Sequence, residues 1–391
     1  MFEEQPRVAS YGPFMIRLLL ISFVAAAVIC AAPAPTGAQP LAPVPTGAPQ
    51  FGARQPLAAK KLLVGIAANS FLDAPADTAA DVRALELGAI RVYMGWAQGT
   101  EQLTASDVVR LTGATQLGTR VLVNITGGKT DAPQTRAERA TFARYAVDMC
   151  RRFPIWGVSV WNEPNGNHSW PNTRNRAETY ERLVARVWSA VHRSCPGVKV
   201  LAGELTRTYA PIAWVRRMGA EYRRSGRTAP LMDGLAHHPF PRFSWRPVTD
   251  RGLSQYPGWV LQGDVQRLRY ALRVAFEGTA QTGRTAIYWT ELGYSTHGPS
   301  FIGRTSPRVQ ASRVAAAVRL AYCQSRVRGI FFFQLWDDPP DALVTEGLVT
   351  WQTGVMNERR EPKPSYWSLA RAIDRVQTGG VGCSLFPSAA R

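Results

Sequence analysis

Lysine is nearly missing from this chain: it supplies five of the 46 basic residues, and arginine supplies the others. The arginines are scattered, and no basic run interleaves with aromatic residues, so the net charge of +18 does not describe a nucleic-acid footprint. With only 28 acidic residues to balance 46 basic ones, affinity for an anionic polymer such as an acidic polysaccharide stays open. Cysteine is also scarce, at five. No C-x-x-C pair occurs and no histidine pattern lies near a cysteine, which argues against a metal site, and no cofactor is called for. A glycine-rich phosphate loop is lacking as well. The first strand-like run leads into Ala68-Asn69-Ser70-Phe71, which excludes the dinucleotide-binding fingerprint of an open doubly wound sheet.

One long apolar run is present, from Phe14 to Ala32, interrupted only by Arg17. With the small-residue, Pro-rich segment behind it, it reads as a secretory signal occupying residues 1–38, with Thr36-Gly37-Ala38 as the cleavage site and Met15 as an alternative start. An uncleaved membrane anchor is the other reading, although the run from Leu18 is short for a span. Residues 39–60, in which Pro-Thr-Gly-Ala recurs, form an extended spacer. Loss of Cys30 with the signal leaves Cys150, Cys195, Cys323 and Cys383, an even number in an exported chain, which favours disulfides. Three connectivities are open, with four free buried thiols as the alternative. Cys150–Cys195 and Cys323–Cys383 are expected, because each pair falls on elements that would be neighbours in the fold inferred next.

From Lys61 short β-branched or apolar runs alternate with longer amphipathic ones. The strand-like runs are 62–68, 88–95, 119–125, 155–161, 198–203, 233–237, 285–291 and 329–336. Helical patterns follow at 77–87, 104–117, 134–153, 176–194, 212–224, 264–282, 307–326 and 365–376. Thr104-Ala105-Ser106-Asp107 reads as a helix start, Asp77 as an N-cap, and Cys195-Pro196-Gly197 as a stop. Eight strands alternating with eight helices predict an α/β fold, a (β/α)8 TIM barrel filling residues 61–385 as one domain.

In such a barrel the C-terminal strand ends form the active face. They carry Asn69, Arg91 with Trp96, Asn124, Asn162-Glu163, Glu204, His237-His238, Glu291 with Tyr294, and Trp336-Asp337-Asp338. This predicts a wet cleft with carboxylates and aromatic walls. Hydrolysis of a glycosidic bond needs two carboxyl groups, one to protonate the leaving oxygen and one to attack the anomeric carbon or activate water. Glu163 and Glu291, three βα units apart, would face each other across the mouth. Asn162 would hold a sugar hydroxyl, Arg91 or His238 would keep the attacking carboxylate ionised, and Trp336, Trp170, Trp96 and Tyr294 offer ring faces for sugars. Strict alternation puts Asn162 and Glu163 on opposite sides of their strand, so both reach the cleft only if the alternation breaks there.

At these residues the chain resembles the large (β/α)8 clan of retaining glycoside hydrolases, which includes cellulases, xylanases, β-glucosidases and β-xylosidases. Trp161-Asn162-Glu163-Pro164 is similar to the clan's acid/base motif on strand four, and Trp289-Thr290-Glu291-Leu292-Gly293 to its nucleophile motif on strand seven. Arg91, His238 and Trp336 fall where the clan places supporting residues, and Gly354 to Pro364 resembles the run before its last helix. The resemblance spans residues 62 to 377 and implies a retaining, double-displacement β-glycosidase acting on an oligo- or polysaccharide. There are two departures. Phe240 stands where the clan commonly has a tyrosine near the nucleophile, so that either Tyr294 substitutes or the nucleophile is less supported, and Asn124 stands where many members have histidine.

Glu204 is the rival carboxylate, expected to bind a hydroxyl or pair with Arg207. His237 is expected to pack in the barrel; His168 and His297 lie in loops from which they could contact substrate, and Asp337 and Asp338 either simply start the loop after strand eight or let Asp337 bind a distal sugar. The chain is expected to be a secreted, periplasmic or cell-surface monomer with no membrane span once mature. A non-catalytic carbohydrate-binding barrel and a transglycosylase are the alternative functions.

Overall fold

The structure, a computed structural model, describes residues 62–252, 256–281, 283–297, 300–339 and 351–383. The expected signal and spacer lie outside the described residues. Eight parallel strands close into a barrel in sequence order: β1 Leu63–Ala67, β2 Ala89–Gly95, β3 Arg120–Thr126, β4 Gly157–Val160, β5 Lys199–Thr206, β6 Gly234–His238, β7 Ala286–Leu292 and β8 Val327–Phe333. The helices are α1 Ser70–Asp73, α2 Pro75–Ala84, α3 Ala105–Gln116, α4 Arg136–Arg152, α5 Arg176–Ser194, α6 Pro211–Arg224, α7 Val265–Phe276, α8 Pro307–Cys323 and α9 Pro364–Thr378.

All strands but β4 split their apolar residues between two cores. On β1, Val64 and Ile66 face the helices while Leu63 and Ala67 fill the barrel. The bottom of the barrel is plugged by Leu63, Leu122, Leu201, Tyr288 and Phe331. Tyr288 fits because its neighbours are glycines: a Cβ on Gly234 would lie 2.6 Å from its ring, and one on Gly329 2.7 Å. That plug makes the barrel a packed core and confines chemistry to the mouth.

Helix starts follow local chemistry. Thr104 and Asp107 form a capping box on α3, and Thr135 and Glu138 form another on α4. Asp77, expected as an N-cap, instead lies in the first turn of α2, which Pro75 opens. Cys195 caps the end of α5, at the expected stop. Disulfides join Cys150 to Cys195 and Cys323 to Cys383, with Cα separations of 6.2 and 5.5 Å. The first ties α4 to the end of α5. The second ties the end of α8 to the chain beyond α9. No helix among the described residues is long and apolar enough to cross a membrane.

Candidate active site

Among the described residues Glu163, Glu204 and Glu291 meet at the barrel mouth, and each does so where strand alternation fails. After β4, Trp161 takes a left-handed conformation (φ 64°), which sends its indole into the outer core and lets both Asn162 and Glu163 (φ 44°) turn inward. The Glu163 amide donates to the carbonyl of Glu204 (3.1 Å), so this turn is tied to β5. On β5 the pairing with β6 shifts between Ala202 and Leu205, through Gly203 (φ 105°) and Glu204 (φ 45°). Only glycine fits at 203, because a Cβ would lie 2.4 Å from the Ala236 carbonyl oxygen. On β7 the register with β8 shifts between Trp289 and Leu292, so Thr290 and Glu291 both face the mouth.

His238, at the end of β6, links the three acids. Its Nδ1 lies 3.0 Å from Glu163 Oε1, and its Nε2 lies 2.7 Å from Glu204 Oε2 and 3.3 Å from Glu291 Oε1. Burial favours the neutral ring, but the charge of Glu291 and the contacts with Glu163 and Glu204 outweigh it and raise the pKa to about 10. The ring is thus an imidazolium that donates from both nitrogens.

Arg91 gives the second cation. Its Nε donates to Glu204 Oε1 and its Nη2 to Asn162 Oδ1, both at 3.1 Å, and its Nη1 lies 3.2 Å from Glu291 Oε1. Two strand positions along, on the same face of β2, the Tyr93 hydroxyl donates to Glu291 Oε1 at 2.5 Å, and the Arg91 guanidinium lies 4.2 Å from the centre of the Tyr93 ring.

Glu204 is fully claimed by Arg91, by His238 and by the Thr290 hydroxyl (2.6 Å). Burial would raise its pKa, but Arg91 and His238 reverse this and hold it at about 2. It is a permanent, inaccessible anion that orients the two cations, and it does not pair with Arg207 as expected from the sequence. Glu291 is pushed up from the usual carboxyl value, first by burial and also by the nearby Glu163, while His238, Arg91 and the Tyr93 hydroxyl pull the other way. The Glu163 side chain is 31% exposed and Glu291's 9%, so the two carboxyls differ in access to water.

The other expected ligands are placed differently. Asn124 is wholly buried and spends its amide on the Ser159 hydroxyl (3.1 Å) and the Trp161 carbonyl (3.2 Å), shaping the β4 turn. Trp170 is wholly buried between Trp161 and Tyr180, and Trp96 packs on Phe142, so neither is a sugar platform. Tyr294 does not reach Glu291: its hydroxyl donates to Gln262 at 2.9 Å, and Tyr93 from β2 supplies the contact to that carboxylate. Trp336 is partly exposed, with the Arg360 guanidinium 4.0 Å over its ring. Asp337 is occupied by Lys363 (2.9 Å) and the Gly354 amide (2.8 Å). His237 is buried and neutral, its pKa lowered to about 4 chiefly by burial, with its ring nitrogens against the Leu205 and Val260 carbonyls. His168 and His297 are exposed in their loops. The mouth's remaining aromatic wall is Phe240, Phe333 and Phe301 packed around Trp351.

No family model matches the sequence, and no curated protein does. Solved structures do. A family 39 glycoside hydrolase from Bacteroides cellulosilyticus WH2 superposes with a TM-score of 0.60 at 17% identity, over 81% of this chain and 64% of that one. The chain thus spans less than two thirds of that protein. A GH39 β-xylosidase from Caulobacter crescentus gives 0.54 at 19% identity, over 79% and 70%. GH5_18 from Streptomyces cattleya, solved with GlcNAc, gives 0.57 at 18% identity, over 81% of each chain. The chain shares with these proteins the closed eight-strand parallel barrel. At these identities the likeness is one of fold, and the chemistry must be argued from the mouth itself.

Proposed function

We propose that the chain is a retaining β-glycosidase with Glu291 as nucleophile and Glu163 as acid/base. The observation that carries this reading is the asymmetry of the two carboxyls around one imidazolium. Glu291 is enclosed and held by the Tyr93 hydroxyl, Arg91 and His238, a donor set that aims one carboxylate and keeps its charge. Glu163 is more open to water and touches only His238 among these groups, which suits a residue that gives and retakes a proton.

In the first step a Glu291 oxygen attacks the anomeric carbon, the bond to the leaving oxygen breaks, and Glu163 delivers its proton to that oxygen. In the second, water attacks the same carbon, Glu163 takes the water's proton, and Glu291 leaves as carboxylate. Two displacements retain configuration and require the carboxyl groups to be about 5–5.5 Å apart. Their shared contact with a single five-membered ring supports such a spacing.

We also propose that residues 61–385 form the catalytic domain of an exported, monomeric protein, preceded by a signal over 1–38 and a spacer over 39–60. The two disulfides support an oxidising compartment. The activity is tested by assaying wild type and Glu291→Ala on aryl β-glycosides and a polysaccharide panel. Hydrolysis by wild type that is lost in the variant supports the assignment. Glycan binding by both proteins with hydrolysis by neither makes the barrel a binding module.

A further inference from the structure

One buried cation at the mouth, Arg207, has no ion-pair partner among the described residues. Arg207 follows the last residue of β5, and its backbone is clamped from both sides. The Asn165 side chain bonds the chain at Thr206 and Thr208, and the Val260 amide donates to the Arg207 carbonyl at 2.9 Å. The residue is 6% exposed. Its guanidinium lies 5.1 Å from the centre of the Trp259 ring and 5.7 Å from that of Phe301. Its Nε is buried without a hydrogen-bond partner, and among the described residues no ion pair reaches it.

The acid that acts on Arg207 is Glu163, which favours its charged form, while burial works against the charge and brings its pKa to about 10. It therefore stays protonated at neutral pH. Glu163 is bonded to His238, and the other two acids of the mouth are taken by Arg91, His238, Thr290 and Tyr93. A buried, uncompensated charge normally destabilises a fold by several kcal/mol unless an anion arrives. Among the described residues no acid pairs with Arg207, which leaves its guanidinium open to an anion carried by a ligand.

We propose that Arg207 binds the carboxylate of an acidic sugar next to the scissile bond, so that the substrate is a uronate-containing glycan. This rests on the glycosidase reading. The planar guanidinium matches a carboxylate through two parallel N–H donors, and its apolar, aromatic walls strengthen that pairing while offering ring faces to the sugar. The clamp at Asn165 fixes the guanidinium relative to the turn that carries Glu163. An overall charge of +18 speeds encounter with a polyanionic chain.

The test compares kcat/KM on glucuronate- and galacturonate-containing oligosaccharides with the same oligosaccharides after reduction of their carboxyl groups, using wild type, Arg207→Gln and Arg207→Lys. Wild type is expected to prefer one acidic series by at least tenfold. Arg207→Gln should lower activity on that series at least tenfold more than on its reduced partner, mainly through KM, with Arg207→Lys between the two. Equal wild-type activity on acidic and reduced forms overturns the proposal without any variant, as does an equal loss on both in Arg207→Gln. Titration calorimetry with the same oligosaccharides separates the two readings. Acidic oligosaccharides that bind through Arg207 without being cleaved retain this assignment and remove the hydrolase. Cleavage of neutral glycans alone removes this assignment and retains the hydrolase. Arg207-dependent binding of sulfated sugars, with uronates ignored, contradicts the choice of carboxylate.

Discussion

The Tyr93 hydroxyl donates a 2.5 Å hydrogen bond to Glu291 Oε1 from the opposite side of the barrel mouth. A hydrogen bond to a charged group contributes about 1.5–3 kcal/mol. If it aims and stabilises the attacking carboxylate, Tyr93→Phe lowers kcat by roughly 10- to 150-fold, with the fold intact by circular dichroism. The corresponding change at Tyr294, whose hydroxyl serves Gln262, leaves kcat much closer to wild type.

With Glu291 as the proposed nucleophile, the acid limb of the pH–activity profile is expected to report its ionisation. Its pKa is raised by burial, and only the ionised form attacks, so activity falls as pH drops through a value above the usual carboxyl range. Tyr93→Phe removes a donor to the ionised form, which moves that limb further up. A limb at or below the ordinary glutamate value of about 4.3 in wild type, or a downward move in the variant, goes against this assignment.

His238 gives a stability prediction of defined sign. Its folded pKa of about 10 lies above the unfolded value of 6.5, so its contribution is complete below pH 6.5 and is lost as pH rises toward 10. Thermal denaturation of His238→Asn should therefore lose less stability between pH 6.5 and 10 than wild type does.

Arg91 contacts both Glu204 and Glu291, so Arg91→Met leaves two buried carboxylates with His238 as their only shared cation among the described residues. Loss of one partner of a buried pair costs about 3–5 kcal/mol, and chemical denaturation should show at least that. Arg91→Lys recovers only part of it, because one ammonium cannot span Glu204, Asn162 and Glu291 as the fork does.

The two disulfides close loops with sequence separations of 45 and 60 residues. In the chain-entropy description each contributes about 4 kcal/mol by restricting the unfolded chain. Reduction should lower the melting temperature, and Cys150→Ala with Cys195→Ala should reproduce part of that loss.

Period-two alternation made the fold legible in the sequence. Ile90, Val92 and Met94 on one side of β2, with Arg91 between them, mark an outward and an inward face. The same alternation extended by one step points to Tyr93, which hides in an apolar-looking run and was missed. The carboxylates are harder to place, because Glu163, Glu204 and Glu291 sit where alternation fails, and a register shift leaves no mark in residue type except at Gly203. The tryptophans misled for the same reason. The left-handed turn at Trp161 drives its ring, and Trp170 behind it, into the helix layer, so indoles that look like sugar platforms in the sequence become core.

The central claim is that Glu291 forms a covalent bond to the sugar. Activated 2-deoxy-2-fluoro β-glycosides slow the second displacement, and peptide-mapping mass spectrometry then locates the trapped sugar. One added glycosyl mass is expected on the peptide containing Glu291, absent in Glu291→Ala. A label on Glu163 or Glu204, or an unlabelled enzyme whose first-formed product has inverted configuration, contradicts it.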